Sequence, residues 1–389
     1  MINFDFNEKC YGCRNCENIC PKGAIEIIEN QEGFLVPKID RNKCINCGLC
    51  DKKCPYSNFK EYSEIKKNIW YSCYSKNKEE RIKSTSGGIF PPLAKYFLEN
   101  NGLVCGCIWN DKMKPIHILT DDNAKIEKMR GSKYLQSDLK KVVKEIKKQI
   151  DKKMILFTGT PCQIAAIKLY IGEHKNLYTC GLICEGVPSY KVWRKYVDVL
   201  EKKEKSKMIN ASFRNKEVGW DSPVARYDFE NGKTKKTLSF NFDTYVIGFL
   251  QGLYYRNSCS NCQYKGNGHN SDILIGDLWG ADKDLLEETD YKGISAVILN
   301  SDKGKKLFEQ VKDNFKFKNI ETEKVIKYNK LLMQPIEKNP NRKNFYDKLD
   351  TMEIIENIEK NTVGNKYKRM AKEILYKTKI FRYVKKIKG

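Results

Sequence analysis

Histidine is nearly missing from this sequence, with 3 residues in a chain of 389. So few imidazoles cannot supply many mixed Cys/His zinc sites. Long apolar runs are missing too. The strongly apolar stretches are as short as Ile294 to Leu299, far from the roughly 18 residues that signal a membrane span. The start, Met1-Ile2-Asn3-Phe4-Asp5, has no basic region followed by an apolar one, so no signal peptide is expected and a cytoplasmic location is predicted. No Walker motif is present and no G-x-G-x-x-G follows a strand, which leaves Rossmann-type dinucleotide binding without support. Against these absences stand 16 cysteines. In a reducing compartment they are not expected to pair as disulfides, and thiolate-only metal centres become the leading explanation.

The length predicts two or three domains, and 40% hydrophobic residues suffice for a buried core. The net charge of +23 is unevenly spread. Residues 1–60 are close to neutral, while residues 361–389 hold ten Lys/Arg against a single acid, Glu373. Such a balance suits an acidic partner protein, a nucleic acid or an anionic membrane, or serves solubility alone.

Cys10, Cys13, Cys16 and Cys20 precede Pro21, and Cys44, Cys47, Cys50 and Cys54 precede Pro55. This is the two-cluster ferredoxin run C-x2-C-x2-C-x3-C-P, written twice. In that arrangement the fourth cysteine of each run ligates the other cluster. Cys10, Cys13, Cys16 and Cys54 are therefore expected to hold one [4Fe-4S] cluster, and Cys44, Cys47, Cys50 and Cys20 the second. The alternative is a pair of structural zinc sites. Ala24 to Asp40 alternates apolar and polar residues around Asn30-Gln31-Glu32-Gly33 and predicts a hairpin.

Beyond a charged linker (61–68), strands and helices alternate and predict an α/β domain. Strands are expected at Ile69–Ser75, Leu103–Trp109, Ile116–Thr120, Met154–Phe157 and Leu177–Cys184. Helices are expected at Pro92–Glu99, Ser137–Ile150, Cys162–Tyr170 and Tyr190–Leu200. Ile209–Phe213, Ala225–Phe229 and Thr237–Phe242 read as an antiparallel excursion. Asp243 caps a helix to Leu253, and Ile273–Ile275 and Ala296–Leu299 return to the main sheet. From about Thr362 a basic amphipathic helix is expected, with Tyr367, Met370, Ile374, Phe381, Val384 and Ile387 on one side. It would either dock on an anionic membrane or acidic partner, or pack on its own domain.

Ser84-Thr85-Ser86-Gly87-Gly88 and Gly159-Thr160-Pro161-Cys162-Gln163 each precede a helix. They would serve as phosphate cradles or as ordinary helix caps. Of the eight cysteines outside the ferredoxin runs, Cys162, Cys184, Cys259 and Cys262 fall at strand ends or in a turn-flanked C-x-x-C and could form a third cluster site. For Cys259 and Cys262 the alternative is half a zinc site or a redox pair. Cys73, Cys105, Cys107 and Cys180 lie in apolar strands and read as core thiols.

In order along residues 69–346 stand Ser84–Gly88, Arg130-Gly131-Ser132-Lys133-Tyr134, Gly159–Gln163, Cys184-Glu185-Gly186-Val187-Pro188-Ser189, Phe213-Arg214, Cys259–Cys262, and Ser271-Asp272-Ile273 with Gly276-Asp277-Leu278-Trp279-Gly280. With these motifs the chain resembles the beta subunits of coenzyme F420-reducing hydrogenases and F420-linked formate dehydrogenases, a family with bacterial members fused to a ferredoxin. The resemblance implies an FAD-binding α/β domain with its own [4Fe-4S] cluster. It makes Ser84, Thr85, Ser86, Gly87, Gly88, Gly131, Ser132, Lys133, Tyr134, Gly159, Thr160 and Pro161 candidate FAD contacts. It makes Cys162, Cys184, Cys259 and Cys262 the expected third-cluster ligands. Where the family usually has His in the Cys-x-Gly-Val-Pro segment, this chain has Glu185, the candidate for proton transfer.

The expected organisation is an α+β ferredoxin-like module (1–60), a linker (61–68), an α/β flavin and iron–sulfur domain with an antiparallel excursion (69–346), and a helical basic tail (347–389). The expected function is an iron–sulfur flavoprotein oxidoreductase. It would pass electrons between clusters and a flavin that exchanges hydride with a small molecule, coenzyme F420 among the candidates. The alternative is a non-catalytic electron-transfer subunit of a larger redox complex. The expected partner is an acidic carrier such as ferredoxin or flavodoxin, or a redox-complex subunit, with peripheral membrane contact through the tail as an option. No nucleic-acid module is visible, and no nucleic-acid partner is expected.

Overall fold

The computed structural model describes residues 1–62, 64–280 and 292–364. The amino-terminal module is built on the hairpin β1 (Ile25–Glu29) and β2 (Leu35–Ile39), paired antiparallel with Ile27 opposite Pro37. A short helix accompanies each cysteine run, Asn15–Ile19 and Leu49–Lys52.

The large domain is organised by an eight-stranded mixed sheet. Its strands are β3 (Ile69–Ser75), β4 (Leu103–Trp109), β5 (Pro115–Thr120), β6 (Ile155–Gly159), β7 (Leu177–Leu182), β11 (Ile273–Asp277), β12 (Ser295–Leu299) and β13 (Phe315–Asn319). Their order is β13-β3-β12-β11-β7-β6-β4-β5. The centre, β4, β6, β7 and β11, is parallel, and the other pairings are antiparallel. Parallel strands are covered on both faces and are apolar throughout. Ile155, Leu156 and Phe157 of β6 are accordingly fully buried. The helices Phe90–Glu99 and Asp302–Val311 cover one face through Leu93, Phe97, Leu307 and Phe308, and Val142–Gln149 and Pro161–Ile171 cover the other. Pro91 and Pro92 occupy the first turn of their helix, where the missing N–H costs nothing.

A second sheet, β8 (Met208–Asn215), β9 (Val224–Phe229) and β10 (Thr234–Leu238), is antiparallel throughout. It packs with the helix Tyr190–Glu204 into an aromatic core holding Trp193, Tyr196, Phe213, Tyr227 and Tyr245. The expected strand Thr237–Phe242 is corrected here. Pairing stops at Leu238, and Ser239–Phe242 forms a helical turn before Asp243, whose side chain accepts from Val246 N–H and caps the next helix, Thr244–Leu250. The helix expected from Ser137 begins only at Val142. Asp138 instead exchanges backbone hydrogen bonds with β5, accepting from His117 N at 3.0 Å and donating to Pro115 O at 3.0 Å.

Tyr62 and residues 64–68 lie on the large domain. Tyr62 N donates to Asn267 O at 3.0 Å, and Ile65 is buried with its carbonyl accepting from Trp70 Nε1 at 2.9 Å. No helix among the described residues is long and apolar enough to cross a membrane. The basic helix expected from Thr362 lies outside the described residues from position 365 onward.

Candidate functional site

Three groups of thiols converge in the fold. Half-buried Cys13 and buried Cys16 lie beside Cys10 and Cys54, and desolvation together with these neighbours pushes both thiols well above their ordinary range. Burial raises Cys54 as well. The fourth cysteine of the second run thus sits with the first three of the first run. Cys20, Cys44, Cys47 and Cys50 form the reciprocal group and line one small cleft with Lys22 and Ile25. Backbone amides already point at sulfur, Gly12 N to Cys10 Sγ and Ala24 N to Cys20 Sγ, both at 3.3 Å.

The third group joins Cys162, at the start of the helix Pro161–Ile171, to Cys184 after β7 and to the loop holding Cys259 and Cys262. Burial, with Cys262 beside it, pushes Cys162 up to about 11. Burial and Cys162 push Cys259 to about 11, and burial and Cys259 push Cys262 to about 11. Cys184 is raised by burial and by all three of the others. Among the described residues, no three His, Cys, Asp or Glu side chains draw in tightly enough for a single ion. What the groups share is a sulfur-only donor set in which each ionisation opposes the next. A cationic centre relieves that opposition and deprotonates its thiol ligands. Iron–sulfur clusters match such a donor set.

The first and third groups are neighbours. Tyr11, between Cys10 and Gly12, packs with Cys162, Cys262 and Tyr264, and its hydroxyl donates to Gln263 Oε1 at 3.0 Å. Arg256, three residues before Cys259, donates to Cys10 O at 2.8 Å, Leu35 O at 2.9 Å and Gln136 Oε1 at 3.0 Å. Ser258 Oγ adds a second donor to Cys10 O at 3.0 Å.

A cavity of about 290 Å³ opens at the carboxyl rim of the parallel strands and has Cys162 and Cys184 in its wall. Ligands of open α/β sheets bind at this rim. Ser84, Thr85, Ser86 and Gly88 form one side, Gly131, Ser132, Lys133 and Tyr134 a second, and Gly159 and Thr160 a third. Gly87 and Pro161 stand behind this wall. A Cβ on Gly87 would meet Cys73 O at 2.4 Å, so glycine is what lets the loop press on the sheet. The loops also hold one another. Ser132 N donates to Thr85 Oγ1 at 3.0 Å, and Gly87 N to Ser295 Oγ at 3.0 Å. Thr160 and Gln163 make a reciprocal cap at the start of their helix. Lys133 turns its Nζ onto the carbonyls of Lys128, Met129 and Arg130 (2.7, 3.0 and 3.0 Å), and burial lowers its pKa to about 8.

Glu185 lies in the same wall, and burial raises its pKa. Nearby, Arg214 pairs with Asp277 at 2.9 Å and donates to the Tyr134 hydroxyl at 3.1 Å. Burial pushes Tyr134 up to about 12, and its ring stacks on Phe249 at 4.3 Å. His117 is buried at the back, its pKa lowered by desolvation to about 4. Its Nε2 faces Thr158 O at 2.9 Å, so Nε2 carries the proton and Nδ1 accepts from Ser137 Oγ at 2.6 Å.

Residue reasoning left several of these groups without a role. Arg214 and Asp277 lie inside the motifs quoted above, which was the available signal. His117 had none beyond its rarity. Of the four thiols read as core, Cys73, Cys105 and Cys180 are buried in the sheet, Cys180 at the edge of the cavity, while Cys107 is half-buried in the cavity wall. Alternation along a strand separates two faces but does not tell packing from a cavity wall.

The comparisons with known proteins meet this geometry. Residues 70–144 match the family model described as "Coenzyme F420 hydrogenase/dehydrogenase, beta subunit N-term", and residues 152–325 its C-terminal counterpart. Residues 9–58 match a "4Fe-4S dicluster domain". The chain is 24% identical over 324 residues to one of the subunits of the F(420)H(2) dehydrogenase of Methanosarcina mazei, covering 79% of this chain and 83% of that protein. Pyruvate synthase subunit PorD of Methanocaldococcus jannaschii is 40% identical over 60 residues, 15% of this chain and 65% of that one. A chain of the F420-reducing [NiFe] hydrogenase complex from Methanosarcina barkeri superimposes with a TM-score of 0.46 at 19% identity, over 78% of this chain and 99% of that one. At that score the superposition carries no argument.

Proposed function

The chain belongs to the coenzyme F420 hydrogenase/dehydrogenase beta-subunit family as a member with an amino-terminal dicluster domain, and on that premise we propose that it is an iron–sulfur flavoprotein oxidoreductase. Cys10, Cys13, Cys16 and Cys54 would hold one [4Fe-4S] cluster, Cys20, Cys44, Cys47 and Cys50 a second, and Cys162, Cys184, Cys259 and Cys262 a third. FAD would lie against Ser84–Gly88, Gly131–Tyr134 and Gly159–Pro161. We assign residues 1–60 to the ferredoxin domain and 69–346 to the flavin and iron–sulfur domain. The observation that carries the reading is that Cys162 and Cys184 stand in the wall of the rim cavity, so a cluster and a ring in that cavity would be neighbours.

Room supports it. The cavity shares its Arg130–Lys133 wall with an adjoining cleft of about 670 Å³, and together they reach the size of a dinucleotide site. When bound, a flavin exchanges hydride on one side and single electrons on the other, which clusters alone do not do. The protein's part is to position and to insulate. The Thr160 cap presents the helix start to anionic groups. Arg214, neutralised by Asp277, fixes the Tyr134 hydroxyl at the rim. Glu185, whose pKa burial raises, would exchange a proton at its carboxyl oxygen.

Anaerobic reconstitution with iron, sulfide and FAD tests this. The reading expects about twelve irons, four per cubane, and about one flavin per chain. Fewer than about eight irons contradicts the dicluster module, and failure to retain FAD removes the flavoenzyme. The second reading, a non-catalytic electron-transfer subunit, draws on the name of the relative, which is one subunit of a dehydrogenase. The discriminator is whether the isolated, loaded chain oxidises or reduces coenzyme F420 or any other small molecule.

A further inference from the structure

The two cysteine groups of the amino-terminal module differ in what covers them. Around the first group the large domain closes in. Arg14 pairs with Asp138, Asn15 Nδ2 donates to Ala166 O at 2.7 Å, and Asn18 Nδ2 to Lys140 O at 2.8 Å. The equivalent face of the second run has no such cover among the described residues. Cys47 is exposed, and so are Ile45 and Leu49 on either side of it. Exposed branched side chains beside an exposed metal-ligand candidate are an interface composition without an interface.

The charge around this face has one prevailing sign. Lys22 lines the cleft with the thiols, and Arg41, Lys43 and Lys52 are exposed in the segment that holds them. The nearby acids are Asp40, which lies 3.4 Å from Lys43, half-buried Asp51, and Glu26, which follows Ile25 and stands opposite Lys38 in the hairpin. An exposed pair like Lys43–Asp40 adds little and is easily exchanged for a partner's carboxylate. The near-neutral total for residues 1–60 conceals this local excess, because Glu8, Glu17 and Glu32 are spent elsewhere, on the contacts to Asn257, Arg14 and Arg342.

We propose that the face formed by Lys22 and residues 41–49 docks an acidic one-electron carrier protein. The proposal rests on the iron–sulfur reading above and names its donor surface. The duplication is the reason to expect a protein there. The first run uses this face to seat the module on the large domain, so the second run offers the same face to an outside partner. Each encounter moves one electron: the carrier is oxidised by one, the chain is reduced by one, and no bond forms between them. Two encounters supply the pair that a two-electron reduction consumes. Contacts of this kind are small, steered by charge and sensitive to salt.

The test is binding calorimetry on the reconstituted full chain with an acidic two-cluster ferredoxin as probe, with iron and flavin content read on the same samples. Affinity should fall about tenfold between low and physiological salt. The double variant K22E/K43E should bind at least about tenfold more weakly, and Ile45→Asn, which alters the apolar part without changing the charge, several-fold more weakly. The charge-matched variant K202E/K203E, on the exposed end of the helix Tyr190–Glu204, should bind as the parent does. Equal binding by K22E/K43E and the parent overturns the proposal, and so does equal weakening by K202E/K203E, which would mean general attraction. Charge-sensitive binding to an iron-replete but flavin-free chain keeps the docking face and removes the flavin reading. Full cofactor content with binding indifferent to both surface variants removes the docking face alone.

Discussion

Gly12 and Asn46 occupy equivalent places in the two cysteine runs, as do Arg14 and Gly48, and all four have left-handed backbone, with φ of 67, 56, 64 and 74°. The duplication is thus preserved in the main chain down to single torsions. The side chains at the same places are inverted. Tyr11 is 6% exposed and its counterpart Ile45 is 58%, while polar Asn15 is fully buried and apolar Leu49 is 36% exposed. Burial by itself would have favoured the opposite assignment. The first run is therefore shaped to fit a surface inside the molecule. Asn15 meets the carbonyls of Lys53 and Ala166, and Arg14 accepts an unfavourable backbone region so that its guanidinium reaches Asp138. The second run retains the torsions and exposes the apolar groups.

Exchanging Arg14 for glycine breaks the comparison most severely, since it gives the inner run the residue of the outer one. The backbone is eased, but Asp138, whose side chain is 2% exposed, loses its two-pronged partner and keeps only Lys114 at 3.7 Å and the Lys140 N–H. Losing a charged hydrogen-bond partner costs about 1.5–3 kcal/mol. The R14G variant should show that loss in its urea midpoint, whereas Lys43→Ala on the outer run should stay within about 0.5 kcal/mol. Asn15→Leu comes next. It leaves two carbonyl acceptors without their donor and should cost about 1–3 kcal/mol. Equal stability for N15L and the parent would mean that the seating of the inner run is not what orders it.

Acid should separate the runs in the same sense. His117 is held neutral with a pKa near 4, against an unfolded value near 6.5. A depressed base binds fewer protons folded than unfolded, so its contribution is intact above about pH 6.5 and is lost as pH falls toward 4. The total is about 3 kcal/mol at most, from about 1.4 kcal/mol per unit. His117 hydrogen-bonds Ser137 and sits beside Asp138, the residue that grips Arg14. Hydrogen exchange, corrected for intrinsic rate, should show residues 10–18 losing protection between pH 7 and 5 before residues 44–50 do. Similar losses in both would place the acid-sensitive step outside this contact.

Much of this was legible in the residues. Both cysteine runs, the parallel strands and the loops Ser84–Gly88 and Gly159–Gln163 follow from spacing, periodicity and glycine placement, while the Gly131–Tyr134 wall came through the family resemblance. Three things were not, each for a physical reason. Leu238, Phe240 and Phe242 alternate as a strand would, yet pairing ends at Leu238 because Pro223, opposite Ser239, accepts from Ser239 N but has no N–H to continue the ladder, and Asp243 caps the helix beyond. Cys107 obeys the core pattern while facing a cavity, which periodicity does not register. The charge of residues 1–60 sums to almost nothing, but a sum has no geometry. Glu8, Glu29 and Glu32 face the large domain, while Lys22 lies with the outer thiols.

The smallest expected effect is the one that bears most on what the outer run is for. Leu49→Asn removes an exposed apolar side chain that packs on nothing the stability of the chain depends on, so unfolding should shift by less than about 0.5 kcal/mol. If Leu49 is exposed only because the duplication carried it along, the substitution is silent in every assay. If it is exposed because an acidic carrier covers it, N15L and L49N part company: the first unseats the module with no direct effect on the carrier, and the second leaves stability untouched while carrier affinity falls several-fold. Two measurements on two variants, the urea midpoint and the affinity for an acidic ferredoxin, thus decide whether the inverted side chains mark an inner and an outer interface or a single interface with an idle copy.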